Sequence, residues 1–236
     1  VIYVGIDDTD APDAPGTNQL ARALVAHLAG RYRCALIVRH QLLQHPRVPC
    51  TSKNSAASML LGPRNGSALE PLIDQLRAFL RKGLVEGSDP GLCVAATVPR
   101  AVTAFARRCQ RELVTQQEAR RVARRHRVYL EGLGGTEDGV IGALAAVGLL
   151  AEGNDGRVVQ IGTWPDDLAG PQDVATLRAR GVEVSCCETG TPVETAVVDV
   201  GKHLRPNYRQ REIVLFARPA PREWHGSSCW QAVRLT

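Results

Sequence analysis

Three carboxylates, Asp7, Asp8 and Asp10, crowd together directly after the apolar run VIYVGI (1–6). If Asp7 continues a strand, Asp8 faces the opposite way, and a turn at Thr9 can bring Asp10 back beside one of them. Carboxylates this close repel one another, so a fold that buries them needs a cation to hold them together. Magnesium suits the cluster, because it takes oxygen ligands and keeps several waters. A metal held there would bridge to phosphate oxygens and offset their charge. A solvated acidic turn is the competing reading. Thr17 follows Gly16 after a loop dominated by Gly, Pro and Asp (10–16) and starts a helical pattern. It could cap that helix, hydrogen-bond a phosphate at the positive helix end, or accept a phosphoryl group with a nearby carboxylate as base.

A second cluster lies far along the chain. Gly132, Gly134 and Gly135 precede Thr136, Glu137 and Asp138, and Gly139 and Gly142 follow. Exposed N–H groups at such a turn can cradle phosphates, aided by the helix that it opens. The turn lacks the lysine of a P-loop, and its spacing is not the dinucleotide fingerprint. The same glycines could serve only a tight turn and close helix packing. Asp138 could add a magnesium ligand or interact with the helix N-terminus. Between two strand candidates, Lys53 could meet a phosphate as a point charge and Asn54 could orient a substrate. His40 could act there or pack against a strand neighbour. Arg205, Arg209 and Arg211 form a further candidate anion patch.

The elements that must position these residues alternate between strand and helix patterns. Strands are expected at 1–6, 34–43, 56–62 and 91–98. Helices are expected near 18–30, 67–83, 99–112, 115–126 and 138–150. Leu20, Leu24 and Leu28 show the helical period in the first of these. The helices at 99–112 and 115–126 carry Arg107, Arg108, Arg111, Arg120, Arg121, Arg124 and Arg125. Such runs are either solvated faces or contacts for RNA or phosphate. A strand at 157–164 leads to a boundary loop, PDDLAGPQ. The expected division is a catalytic region at 1–165 and a small α/β unit at 166–236 that binds substrate. In the smaller unit, 194–200 and 211–219 read as paired strands and 201–210 as a basic loop. The mixture indicates an α/β or α+β fold.

Apolar residues make up 44% of the 236 positions, enough for a sizeable core, while aromatics are only 4%. This composition excludes a disordered chain, and no apolar run approaches the length of a membrane span. The opening residues lack the pattern of a signal peptide, so a cytoplasmic protein is expected. The net charge of +5 rests almost wholly on arginine, with lysine only at 53, 82 and 202, and fits an anionic partner. The cysteines, at 34, 50, 93, 109, 186, 187 and 229, include no CxxC pair, which argues against a disulfide framework or zinc ribbon. Cys186-Cys187 could be redox-active, bind a soft metal, or be two small residues near a strand end.

GIDDTD (5–10), GT (16–17), VPCTSKNSAA (48–57), DPG (89–91) and GVIGALAAVG (139–148) occur in this order. Together they resemble the archaeal tRNA(Ile2) agmatinylcytidine synthetase family over roughly residues 1–165. Gly16-Thr17-Asn18 stands where that family has a Cys-Thr-Thr run, and SKN (52–54) stands where it has TRGN. The resemblance implies a kinase-like ATP domain combined with a ferredoxin-like one, without the family's OB-like domain and zinc ribbon. It implies ATP and magnesium as cofactors. It places Asp7, Asp8 and Asp10 on the magnesium and the ATP phosphates, with Gly134, Gly135, Asp138 and Gly139 lining the nucleotide site, and makes Thr17 a phosphorylated threonine. The expected activity is phosphoryl or adenylyl transfer that activates a tRNA or nucleotide carbonyl for amine attack. A small-molecule kinase and a non-catalytic nucleotide- or RNA-binding module are the alternatives. The partners expected are a small molecule or RNA, with a separate RNA-binding protein or a dimer as further options.

Overall fold

The computed structural model describes residues 1–7, 9, 16–48, 54–64, 66, 68–84, 87–163, 168–224 and 227–234, the side chains of 221–228 excepted. Two units divide the chain: Val1–Glu152 with Gln160–Thr163, and Gly153–Val159 with Trp164–Thr236.

In the first unit the order is β1 (Ile2–Asp7), α1 (Thr17–Leu28), β2 (Tyr32–Gln41), β3 (Ser55–Pro63), α2 (Leu69–Lys82), β4 (Gly91–Ala95), α3 (Arg100–Cys109), α4 (Gln116–Arg125), β5 (Tyr129–Gly132) and α5 (Gly139–Glu152). The strands lie β5-β4-β1-β3-β2, each pair antiparallel. The first six elements thus follow the split βαβ order of ferredoxin-like folds. The architecture is mixed α/β, as the sequence indicates, and its antiparallel sheet is the α+β form.

β1 is central because both of its faces are apolar or small. Val4 and Ile6 are fully buried and share a face by the two-residue period. Leu24 and Leu28 of α1 and Leu72, Leu76 and Leu80 of α2 are buried on that side. Gly5 points the other way, where α5 approaches so closely that a methyl group at Gly5 would come within 2.1 Å of the Ala143 carbonyl oxygen. α5 is buried almost all round, with Val102, Phe105 and Ala106 of α3 in the same core. Its lack of an apolar stripe follows from that enclosure. α4 begins at a capping box: Thr115 Oγ1 accepts from the Glu118 amide at 3.2 Å, and Glu118 Oε2 accepts from the Thr115 amide at 2.9 Å.

β6 (Arg157–Ile161) contributes its first residues to the second unit. There follow β7 (Pro171–Asp173), α6 (Val174–Ala179), β8 (Glu183–Cys186), β9 (Val197–Asp199), β10 (Asn207–Arg209), β11 (Glu212–Trp224) and β12 (Ser227–Ala232). The expected pairing of 194–200 with 211–219 does not occur. β12 intervenes, antiparallel to β11 and parallel to β9. Its sequence SSCWQA has no apolar alternation to announce a strand. The segment 201–210 is likewise not wholly loop, since β10 pairs with β11 over three residues. Strands this short are held by their neighbours rather than by their own pattern. Among the described residues, no helix is long and apolar enough to cross a membrane.

Candidate functional site

Asp7 closes β1 opposite Gly91 in the β4 register and is half-buried. Its carboxylate lies over the first turn of α5. A methyl group at Gly142 would come within 1.7 Å of Asp7 Oδ2, so only glycine leaves room for the acid. The α5 macrodipole makes this end of the helix favourable for negative charge. The first three amides of α5 are already used: Gly139 donates to Asp89 O at 3.1 Å, Val140 to Glu137 O at 3.2 Å and Ile141 to Asp138 O at 3.0 Å. The helix end therefore acts on a ligand through its field rather than through these N–H groups.

The preceding turn is pinned from two sides. Asp89 accepts from the Thr136 amide at 2.6 Å through Oδ1 and from the Thr136 hydroxyl at 2.7 Å through Oδ2. Gly135 adopts φ +58, and a methyl group there would collide with Asp89 Oδ1, so backbone conformation and space both demand glycine. From α4, Gln116 Nε2 donates to Thr136 O and to Asp138 Oδ1, both at 2.6 Å. Arg120 pairs with Glu137, itself in the left-handed region at φ 63. Gly135, Thr136 and Asp138 are exposed and Gly134 half-buried. Thr136 thus has its amide and hydroxyl hydrogen engaged by Asp89, and Asp138 shares one oxygen with Gln116.

Two buried polar atoms belong to residues within and after the acidic segment in sequence. Thr9 is 5% exposed, and its Oγ1 has no hydrogen-bond partner among the described residues. Asn18 Oδ1 is in the same state. Buried polar groups are nearly always paired, and an orphan costs about 1–3 kcal/mol. Thr17, between them in sequence, is 8% exposed. It is not the cap of α1: Gly16 occupies that position and Thr17 is the first helical residue.

The remaining expected residues separate. Asp8, Asp10 and Lys53 lie outside the described residues. Among the described residues no three His, Cys, Asp or Glu side chains form a metal-holding group. Asn54 ties down the base of its loop, its side-chain amide donating to Leu43 O at 2.8 Å while its backbone carbonyl accepts from Leu42 N at 2.9 Å. His40 is fully buried with Nε2 2.8 Å from Ser58 Oγ on β3. Burial pushes the Cys109 thiol up to about 12; Arg108 opposes this and the Asp7 carboxylate adds to it. Cys109 is therefore a neutral thiol beside the site rather than a nucleophile. In the second unit, Arg209 Nη1 donates to Tyr208 O at 2.9 Å. The described cysteines are all free, and hydrogen bonds from Thr189 lower the Cys186 thiol.

The roles of Asp89 and Gln116 were missed: Asp89 had one signal, the DPG run before β4, and Gln116 had none, because each matters through a neighbour remote in sequence. Thr9 was expected only as a turn residue, and its burial adds a polar atom that its place in GIDDTD does not announce.

α4 has two distinct faces. Ala119 and Ala123 are buried, and Gln116 and Arg120 on the same side hold the glycine turn. Arg121 and Arg125 project from the opposite side, Arg124 lies at its edge one turn beyond Arg120, and all three are exposed. α3 differs: Arg107 pairs with Glu152 at 2.5 Å and Arg108 with Glu112 and Glu118 at 3.1 and 3.0 Å.

No family model matches the chain. Over 156 residues, 63% of its length, the chain is 26% identical to tRNA(Ile2) 2-agmatinylcytidine synthetase TiaS of Pyrococcus horikoshii. It spans 35% of that relative. Among solved structures it is similar to a crystal structure of a tRNA fluorescent labeling enzyme, at 24% identity and a TM-score of 0.56, covering 62% of this chain and 35% of that one. It is also similar to the TiaS-tRNA(Ile2)-ATP complex, at 24% identity and a TM-score of 0.55, covering 62% of this chain and 36% of that one. These structural likenesses establish the shared fold.

Proposed function

We propose that this chain binds ATP with magnesium at the junction of β1, α1 and α5 and transfers a phosphoryl or adenylyl group. The observation that carries the reading is the Asp7 carboxylate seated over Gly142 at the start of α5, beside the pinned glycine turn. The orphaned Thr9 hydroxyl and Asn18 carbonyl add buried polar atoms that a bound polar ligand would satisfy. An all-oxygen donor set fits magnesium, which prefers oxygen ligands and retains waters. Asp7, Asp8, Asp10 and Asp138 would hold it, and when bound it would offset the charge of the phosphates.

The chain's own residues then divide the work. Gly134, Gly135, Thr136 and Gly139 line the phosphates, with Asp89 holding the turn in shape. Lys53 would meet a phosphate as a point charge and Asn54 would orient the substrate. Thr17, at the positive end of α1, receives or positions the transferred group. Transfer breaks a phosphoanhydride bond of ATP and forms a P–O bond on an acceptor oxygen. Residues 1–165 constitute the catalytic region, with the kinase-like handling of ATP, and 166–236 a substrate-binding unit. The likeness to a tRNA-modifying enzyme supports an acceptor carbonyl on tRNA or a nucleotide, activated for amine attack.

Calorimetry of ATP binding with and without magnesium, in the native protein and in Asp8→Asn, tests the reading. Magnesium-dependent binding in the native protein, lost in the variant, is expected. No ATP binding by the folded native protein overturns it.

A further inference from the structure

We propose that the outer face of α4 is an RNA-docking surface that holds a polynucleotide by its phosphates next to the glycine turn. Arg121, Arg124 and Arg125 fall within one side of this ten-residue helix by its 100° step and are all exposed. None forms an ion pair or side-chain hydrogen bond with a described residue, whereas Arg107, Arg108 and Arg120 all do. The only acid on α4, Glu118, is committed to Thr115 and Arg108. Exposed Arg111 and Arg127 stand just before and just after the helix. The result is a strip of guanidinium groups with no counter-charge of its own.

Arginine recognises phosphate through a planar fork of donors, and a line of them complements a polyanion better than a single small phosphate. The opposite face of the same helix supplies the placement. Gln116 and Arg120 grip Thr136, Asp138 and Glu137, so a strand lying along α4 runs beside the turn. The docked RNA is then the acceptor, or carries it; that step rests on the ATP reading above, whereas the docking itself does not.

The test is fluorescence-anisotropy titration of unfractionated tRNA, without nucleotide, into the full chain across a salt series. The variants are the triple Arg121→Ala, Arg124→Ala, Arg125→Ala and the corresponding triple substitution to Lys. Losing three phosphate contacts should weaken binding about tenfold or more. The slope of log affinity against log salt should become shallower by about 2 to 3. The lysine triple keeps the charges and should retain most of the affinity. Far-UV circular dichroism and separate ATP calorimetry on each variant distinguish failure of docking from failure of the nucleotide site. Unchanged tRNA affinity and salt slope in a folded alanine triple overturn the proposal. So does a native protein that binds an acidic polypeptide such as polyglutamate but not tRNA.

Discussion

Asp7 and Gly142 work as a pair, since the acid occupies the space that a side chain on the helix would need. Asp7→Asn keeps the shape and removes the charge. It is expected to abolish magnesium-dependent ATP binding in calorimetry while leaving the melting temperature nearly unchanged; retained binding would remove Asp7 from the site. Gly142→Ala has two opposing effects. Alanine favours a helix interior by about 1 kcal/mol, but its methyl group would meet Asp7 Oδ2 at 1.7 Å, and overpacking of this kind costs about 1–3 kcal/mol. Urea unfolding should show net destabilisation together with weaker ATP binding. A methyl group at Gly16 meets nothing within 4 Å, so Gly16→Ala is the tolerated comparison. Residue types were legible here because chemistry follows type. The carboxylates and glycines announced themselves, whereas the partnership of Asp89 with Thr136 spans 47 positions and has no local trace.

At the scale of elements, α4 carries the most testable construction. Its capping box holds the Glu118 carboxyl below its usual range, through the Thr115 amide first and then Arg108. A carboxyl depressed in the folded state stabilises the protein above its ordinary pKa, and that contribution is lost as pH falls through the folded value. The stability gap between native protein and Glu118→Gln should therefore be largest near neutrality and shrink in acid. A gap independent of pH in urea titrations would contradict this. Thr115→Ala should cost about 1 kcal/mol by removing the cap. Long elements were legible: the helices at 69–82, 100–109, 116–125 and 139–152 follow from period and punctuation. Four of the short ones were not. β5, β7, β10 and β12 have between three and six residues, too few for a period to declare itself. The strand expected at 91–98 ends at Ala95, ahead of Pro99, the cap of α3.

For the molecule as a whole, the proposed site belongs to the first unit alone. ATP with magnesium, followed by hydrogen exchange, should protect amides in 2–9, 16–18, 88–91 and 132–142 and leave 171–234 unchanged. Protection confined to the second unit would refute the assignment of ATP to the first. Saturation at about a hundredfold over Kd should add about 2.7 kcal/mol to the stability of the unit that binds. The sequence by itself determined the mixed α/β class, the long helices, the acidic end of β1 and the glycine turn before α5. Each follows from local periodicity or from residue chemistry, which a chain carries wherever it folds. Only the tertiary structure decided that β12 separates β9 from β11, that Asp89 and Gln116 clamp the turn, and that α4 turns one face to the site and leaves the other bare. Those outcomes depend on which distant segments pack together. Pairing between remote segments is selected by burial and hydrogen bonding over the entire fold, and no short window of sequence contains it.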